Sequence, residues 1–156
     1  MATGHMMTNK GRWLHAQGLW DDGAATVIGV GLLKVQGAAA DTQVEVDDLN
    51  TVQDLIVTAS STECDFTNYV RKSLTRTNWA EDDTNNRAQA VAAALTWTAA
   101  GGASNNTIVG AFFYDKTTDT NDTTRLLLSV DWFATGVTTN GGDYIYDPSA
   151  GLYRIS

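Results

Sequence analysis

Apolar residues recur in short runs and at alternating positions along most of the chain, and this pattern is typical of β-strands. The clearest strand candidates are "TVIGVGLLKV", "TNYVRKSLT", "TIVGAFFYDK", "TRLLLSVDWFAT" and the final "LYRIS". Clusters of Asn, Asp, Thr and Gly separate them about every ten residues, a spacing typical of sandwiches and barrels. The pattern therefore predicts an all-β protein with an antiparallel β-sandwich or barrel-like domain.

The segment "NNRAQAVAAALTWTAAGG" can be interpreted in two ways. Its alanines favour a helix, because Ala has the highest helix propensity. Its larger side chains, at Val91, Leu95 and Trp97, fall on one parity, which favours strands. The neighbouring turn signals favour the second interpretation, so we predict two short strands at about 87–91 and 95–98, with a helix as the alternative.

One segment has the apolar spacing of a helix. In "VDDLNTVQDLIVTAS", Leu49, Val52 and Leu55 recur at helical intervals. Asp47 or Asp48 precedes them and is suited to an N-cap. We predict at most one short helix in the protein, near residues 48–59.

The first 22 residues lack periodicity and differ from the rest of the chain. We predict an extended N-terminal arm over residues 1–22, followed by a single β domain over 23–156. An indole buries a large apolar area, so the apolar residues of the arm either fold back on the core or dock on a neighbouring chain. These candidate interface residues are Trp13, Leu14, Leu19 and Trp20.

Three loops carry turn chemistry. Residues 115–125, "DKTTDTNDTTR", are rich in side chains that bond their own backbone and predict a hairpin connection. Residues 138–142 contain Asn-Gly, a strong turn signal. Residues 146–151, "YDPSAG", predict a turn before the last strand.

Charge and composition exclude several classes of function. The 156-residue chain has a net charge of −8 and a pI near 4.4, so it would be repelled by nucleic acid and by anionic membrane surfaces. Its longest apolar runs have the length of strands and are too short to span a membrane. The start "MATGHMMTNKGRW" lacks a basic segment followed by an apolar one, so we expect no secretory signal.

The single cysteine, Cys64, excludes an internal disulfide. We interpret it as a small buried thiol. A nucleophilic role would need a base nearby, and the only imidazoles belong to His5 and His15.

Two acidic clusters are the candidates for a cation site. Calcium requires several oxygen ligands, but neither cluster has the central Gly and late Glu of an EF-hand. We therefore interpret them as turn residues, predict no metal site and no cofactor, and expect that exchanging both Asp119 and Asp122 for Asn leaves folding nearly unchanged. The clusters are Glu81, Asp82 and Asp83, and Asp115, Asp119 and Asp122.

No Ser-His-Asp order, HExxH, P-loop or GxSxG motif is present, and we expect that the protein is not an enzyme. Paired carboxylates of a glycosidase are not indicated either. The aromatic residues could include a platform for sugar binding, but we interpret them as core. They are Trp79, Trp97, Phe112, Phe113, Tyr114, Trp132 and Phe133.

From Thr67 to Ser156 the chain resembles a widespread group of virion proteins of tailed bacteriophages. The resemblance lies in the order of five motifs: a Tyr-x-Arg strand, an Asp-Asp-Thr-Asn-(Asp/Asn)-Arg turn, a "GAxxYD" strand, a "TTNGGD" hairpin and a closing Gly-aromatic strand. They correspond to Tyr69 with Arg71, Asp82 to Arg87, Gly110 to Asp115, Thr138 to Asp143, and Gly151 to Ser156. The segment "AQAVAAALTW" departs from the group, which usually has Val-rich, Asp-containing strands there.

The resemblance implies a structural role in the virion. Within that role we favour a head decoration (cement) protein on the outer surface of the capsid, bound to the major capsid protein and forming a homotrimer. A tail or fibre component is compatible with the same resemblance. A carbohydrate-binding β-sandwich is the alternative from a different class.

Overall fold

The computed structural model describes residues 4–16, 27–74, 76–82, 87–117, 120–148 and 153–155. It is mostly antiparallel β-sheet, with 41% of the residues in strands. The prediction of a mainly β protein is confirmed.

The strands are β1 (Gly4–Met7), β2 (Ile28–Val35), β3 (Thr62–Glu63), β4 (Lys72–Leu74), β5 (Arg76–Asp82), β6 (Arg87–Ala92), β7 (Leu95–Trp97), β8 (Thr107–Asp115), β9 (Leu127–Thr138), β10 (Tyr144–Tyr146) and β11 (Tyr153–Ile155). The helices are α1 (Asn9–Ala16) and α2 (Gln43–Asp47), with a 3-10 turn at Ala38–Ala40 and a π-helical turn at Asp54–Thr58. No helix among the described residues has the length and hydrophobicity that crossing a bilayer requires.

Six strands form the central sheet, in the order β1-β9-β8-β2-β3, with β4 also pairing with β2. All of these pairs are antiparallel. Strands β8 and β9 are consecutive along the chain and adjacent in the sheet, which confirms the predicted hairpin around residues 115–125.

The central sheet is buried on both faces. On β8, Ala111 and Phe113 belong to one hydrophobic cluster, whereas Phe112 and Tyr114 belong to the other. Successive strand residues point to opposite faces, so each cluster lies on its own side of the sheet. Burial on both sides explains why β8 has an unbroken apolar run and does not alternate with polar residues.

Different elements cover the two faces. Leu95 and Trp97 of β7 contribute to the cluster that contains Phe113, and Leu14 of α1 joins it. On the other face, Val46 and Leu55 from the helical segment complete the cluster that contains Phe112 and Tyr114. The sheet therefore lies between a largely β layer and a largely helical one.

Two glycines of β2 make room for rings on the helical side. Gly29 is opposite Tyr114 and Gly31 is opposite Phe112 in the register of β2 and β8. A Cβ atom added at Gly31 would lie 2.3 Å from the Phe112 ring, and one at Gly29 would lie 2.2 Å from the Tyr114 ring. The aromatic rings occupy the space that side chains of β2 would otherwise fill.

The helix prediction was wrong in number and in its cap. α2 begins after Thr42, whose side chain and that of Glu45 form a capping box, so neither Asp47 nor Asp48 is the N-cap. A separate π-helical turn, Asp54–Thr58, follows. The chain leaves the helical path between them because it pairs with the hairpin: Val52 N donates to Arg125 O, and Leu127 N donates to Asn50 O.

The interpretation of residues 87–98 as two strands is confirmed, with bounds Arg87–Ala92 and Leu95–Trp97. Strand β6 pairs with β5 and β11, and β7 pairs with β10. Because both edges of β6 are hydrogen-bonded to partners, pairing outweighs the helix propensity of its alanines.

The Asn-Gly sequence forms a turn, but the hairpin expected there is absent. Gly141 has a φ of +92°, which favours glycine. The strand after the turn, β10, pairs with β7 and not with the preceding strand β9. The turn therefore sends the chain from the central sheet into the layer above it.

The N-terminal segment is not an extended arm over residues 4–16. β1 pairs with β9, so that Gly4 lies opposite Trp132. Thr8 then starts α1: its hydroxyl donates to Leu127 O at 2.6 Å and accepts from Gly11 N at 2.9 Å. These residues are part of the domain, and the predicted boundary at residue 22 lies outside the described residues.

The ring contacts of β2 give the first prediction. Replacing Gly31 by Ala should lower the free energy of unfolding by about 1–3 kcal/mol, because the Phe112 ring must move in a packed core. Gly142→Ala is the control, since its nearest contact is the Asn140 side chain at 3.2 Å. Urea unfolding of both variants measures the difference, and equal stabilities would contradict the packing argument.

Candidate functional site

The most connected polar site in the described structure is a clamp around Arg71. Its Nε donates to Glu63 Oε1 at 2.7 Å and its Nη2 donates to Glu63 Oε2 at 2.7 Å. Its Nη1 and Nη2 donate to the two carboxylate oxygens of Asp122 at 2.6 and 2.7 Å. One guanidinium thus holds two carboxylates in bidentate contacts, the strongest geometry for such pairs.

The clamp lies on the rings that fill the glycine positions of β2. The Arg71 guanidinium is 5.2 Å from the centroid of Phe112 and 5.3 Å from that of Tyr114. Arg125 lies over the Tyr114 ring at 5.2 Å and also donates to Asp122, at 2.9 Å. Arg71 and Arg125 therefore each make both a cation–π contact and an ion pair.

Tyr69 connects the clamp to the sheet. Its hydroxyl donates to Glu63 Oε1 at 2.6 Å and accepts the backbone N–H of Leu32 at 2.9 Å. Burial, and then the negative charge of Glu63, raise the pKa of Tyr69 well above its ordinary value. The hydroxyl therefore stays protonated and remains a donor to Glu63.

The charges of the clamp satisfy one another. Arg71 uses four of the five N–H donors of a guanidinium: one from Nε, one from Nη1 and two from Nη2. Hydrogen bonding from Arg71 lowers the pKa of Asp122, so this carboxylate stays ionised. The arrangement holds β3, the start of β4 and the β8–β9 connection together, which is a structural task.

A second polar contact lies on the opposite face of the sheet. The Tyr146 hydroxyl donates to Asp131 Oδ2 at 2.9 Å, and its ring stacks on Phe133 at 5.8 Å. Burial, and then Asp131, raise the pKa of Tyr146. This contact ties β10 to β9.

The interpretation of the aromatic residues as core is confirmed where their side chains are described. Phe133 is partly buried against the same cluster as Trp97. Nothing is described for the Trp79 side chain, which belongs to β5. The buried members are Trp97, Phe112, Phe113, Tyr114 and Trp132.

The predicted interface residues differ in their exposure to solvent. Leu14 is 6% exposed and belongs to the core, so it is not available to a partner. Trp13 is 49% exposed, with Lys10 Nζ 5.0 Å from its ring centroid. Leu19 and Trp20 lie outside the described residues.

Within the described part of the chain, the acidic clusters do not converge on a cation site. Asp115 accepts the backbone N–H of Thr117 at 2.7 Å, as expected of a turn. Asp122 belongs to the arginine clamp, which argues against the expectation that exchanging both Asp119 and Asp122 for Asn leaves folding nearly unchanged. Glu81 and Asp82 are on β5, while Asp83 and Asp119 lie outside the described residues. Among the described residues, no group of three or more His, Cys, Asp or Glu side chains could hold a metal.

Cys64 is a buried thiol, as predicted. Burial, with Glu63 as the next cause, raises its pKa to about 12, so the thiol is protonated and poorly nucleophilic at neutral pH. The His5 ring packs near Phe113, at 6.2 Å between centroids. His15 belongs to α1, and its side chain is not described.

Sequence reasoning did not identify the clamp. The local pattern places Arg71 in a motif and Asp122 in a turn, and it gives no sign of Glu63 or Arg125. Arg71 and Asp122 are 51 residues apart, so no local spacing connects them. The one available signal was the Tyr-x-Arg pair, since Tyr69 and Arg71 both donate to Glu63.

Comparison of the chain with protein-family models, curated proteins and solved structures finds no match.

The clamp predicts how stability depends on pH. The pKa of Asp122 is lowered in the folded state, so its contribution is present above the unfolded value, about 4, and is lost as pH falls through the folded value. Asp122→Asn should lower the free energy of unfolding at pH 7 by about 1–2 kcal/mol. The deficit should shrink as pH falls below about 4.

Asp143→Asn is the matched control, because the Asp143 carboxylate accepts only a hydrogen bond from the backbone, from Ala99 N, among its described contacts. Urea unfolding of the wild type and both variants from pH 3 to pH 7 measures the effect. A deficit in Asp122→Asn that is the same at every pH would contradict an ionic role.

Proposed function

We propose that this protein is a structural component of a tailed-phage virion that decorates and stabilises the outer surface of the capsid, without enzymatic activity. The observation that carries the proposal is the order and spacing of the five motifs between Thr67 and Ser156. The proposed partners are the major capsid protein and other copies of the chain.

Two of the five motifs occupy positions on which the fold depends, although the turn at Thr138–Asp143 does not form the hairpin that the resemblance implies. Tyr69 and Arg71 of the first motif both bond Glu63 in the clamp. The "GAxxYD" motif, Gly110–Asp115, lies in β8, which pairs with strands on both sides. The resemblance therefore includes residues that this fold needs for its stability.

The charge of the chain supports a position outside the capsid. A net charge of −8 would be repelled by packaged nucleic acid. The same charge keeps unassembled copies apart in solution. A mainly antiparallel fold with both sheet faces buried also suits a protein whose task is mechanical.

We propose a homotrimer, because an icosahedral shell offers three-fold and quasi-three-fold positions and several weak contacts add up to avidity. In the N-terminal segment, Trp13 is the remaining described candidate for contact with a neighbour, since Leu14 is in the core.

A tail or fibre component is the second candidate, because the resemblance covers virion proteins generally. The carbohydrate-binding alternative receives less support from the structure. The aromatic residues considered above for a sugar platform are, where their side chains are described, buried or packed against the core, whereas such a platform needs exposed ring faces.

Mass spectrometry of purified virions tests the proposal. It measures the number of copies of the protein relative to the major capsid protein. We expect this number to match one trimer at each three-fold or quasi-three-fold position of the shell. Heads separated from tails should retain it. A few copies per particle that fractionate with tails would instead support the tail component, and absence from particles would contradict both.

Trp13 provides a test of the contact itself. Trp13→Ala should leave the fold intact, since this side chain is 49% exposed, but should reduce occupancy on capsids lacking the protein by at least tenfold. Val44→Ala, at a residue 73% exposed on α2, is the control and should bind normally. Equal occupancy of both variants would show that Trp13 does not contribute to capsid binding.

A further inference from the structure

Strands β5, β6 and β11 form a separate three-stranded sheet with β6 in the centre. Among the described residues, its contacts with other elements are marginal, and no described strand pairs with the outer edge of β5. In the part of the chain that the structure describes, the backbone N–H and C=O groups on that edge have no strand partner, and such groups are the usual template for pairing with another chain.

The edge strand has few of the features that block such pairing. β5, "RTNWAED", is seven residues long and contains neither Lys nor Pro. Natural edge strands are commonly protected by Pro, by charged residues and especially Lys, by short length or by a bulge. The charged residues of β5, Arg76, Glu81 and Asp82, stand at its two ends, so the middle of the edge is uncharged. The one irregularity lies between Arg76 and Asn78, at one end of the strand, so the rest of the edge remains regular.

The register of β5 on β6 allows the pairing of two copies to be worked out. When two identical strands pair antiparallel, a two-fold axis perpendicular to the sheet relates them. One residue therefore lies next to this axis, directly opposite the same residue of the partner. We call residues that lie directly opposite one another in neighbouring strands a row. Arg76 lies opposite Ala92, and Trp79 lies opposite Ala90. The row of Arg76 is therefore two rows from that of Trp79, because the bulge takes up one residue of β5. Glu81 pairs with Ala88, two rows on the other side.

An axis at Trp79 therefore has a specific consequence for charge. It places Arg76 opposite the partner's Glu81, at both ends of the paired segment. An axis at Asn78 would place Arg76 opposite the partner's Trp79 instead. Opposite charges directly across an antiparallel pair stabilise it, and like charges destabilise it.

The same axis also joins apolar positions. Trp79, Ala90 and Tyr153 share one row across the three strands, and residues in one row belong to one face of the sheet. Ala88 and Ile155, two positions away along their strands, belong to the same face. Pairing two sheets would extend the Trp79 row across six strands.

We propose that β5 pairs antiparallel with β5 of a second copy of the chain, with Trp79 on the two-fold axis and Arg76 opposite the partner's Glu81. The pairing needs no capsid and is tested on the purified protein. If the proposed capsid location is also correct, this contact would link neighbouring trimers across local two-fold axes.

Disulfide trapping tests the register. Trp79→Cys should form a linked dimer on mild oxidation, because directly opposed Cα atoms lie about 4.5–5.5 Å apart, within disulfide range. Asn78→Cys should not, since its two copies would be two rows apart, at about 8 Å. Gln89→Cys, on the central strand β6, is the background control. Buried Cys64 is present in all three variants.

Charge exchange tests the pairing in the same assay. In the Trp79→Cys background, Arg76→Glu or Glu81→Arg should slow dimer formation by about tenfold, since each places like charges opposite one another at both ends. The double variant Arg76→Glu/Glu81→Arg should restore the rate. Circular dichroism confirms that each variant is folded.

Linked dimer from Trp79→Cys above the Gln89→Cys level, together with rescue by the double exchange, would establish the pairing. Equal linkage in Trp79→Cys and Gln89→Cys would overturn it. A double variant as slow as the single ones would overturn the register. None of these results depends on whether the protein occurs in virions, which the copy count decides separately.

Discussion

A stack of three layers, the β2 backbone, two aromatic rings and a guanidinium, connects segments that are far apart in the sequence. The backbone of β2, at Gly29 and Gly31, lies against the rings of Tyr114 and Phe112. The Arg71 guanidinium lies on those rings and holds the carboxylates of Glu63 and Asp122. Each layer requires the one below it, because side chains on β2 would displace the rings and a displaced ring would remove the support of the arginine.

This stack places ionic contacts where they affect the fold. Isolated ion pairs on a surface contribute little, but the arginine clamp is partly buried, multiply hydrogen-bonded and packed on aromatic rings. It closes the β8–β9 connection onto β3 and the start of β4, so a long polar loop becomes part of the folded domain. The acidity of the chain is therefore only partly a surface property, since Glu63 and Asp122 act in folding.

Stability and assembly are assigned to different sheets in the picture that we propose. The central sheet has both faces buried, and the charged groups of its clamp are paired with one another. It therefore offers little surface for binding another chain. The β5–β6–β11 sheet has an open edge and marginal contacts with the other described elements. For the virion role that we propose, this arrangement would combine a domain that does not open with an edge that can pair.

The sequence by itself determined the β class, the strands β2, β8 and β9, the two strands within residues 87–98 and the burial of Cys64, because local periodicity and turn residues report directly on strands and their ends. Tertiary structure decided the remainder. Pairing of Asn50 and Val52 with the hairpin divided the predicted helix, and pairing with β9 drew Gly4–Met7 into the sheet. Arg71 and Asp122 meet across 51 residues of chain. Contacts of this range depend on which strands become neighbours, and no local pattern in the sequence carries that information.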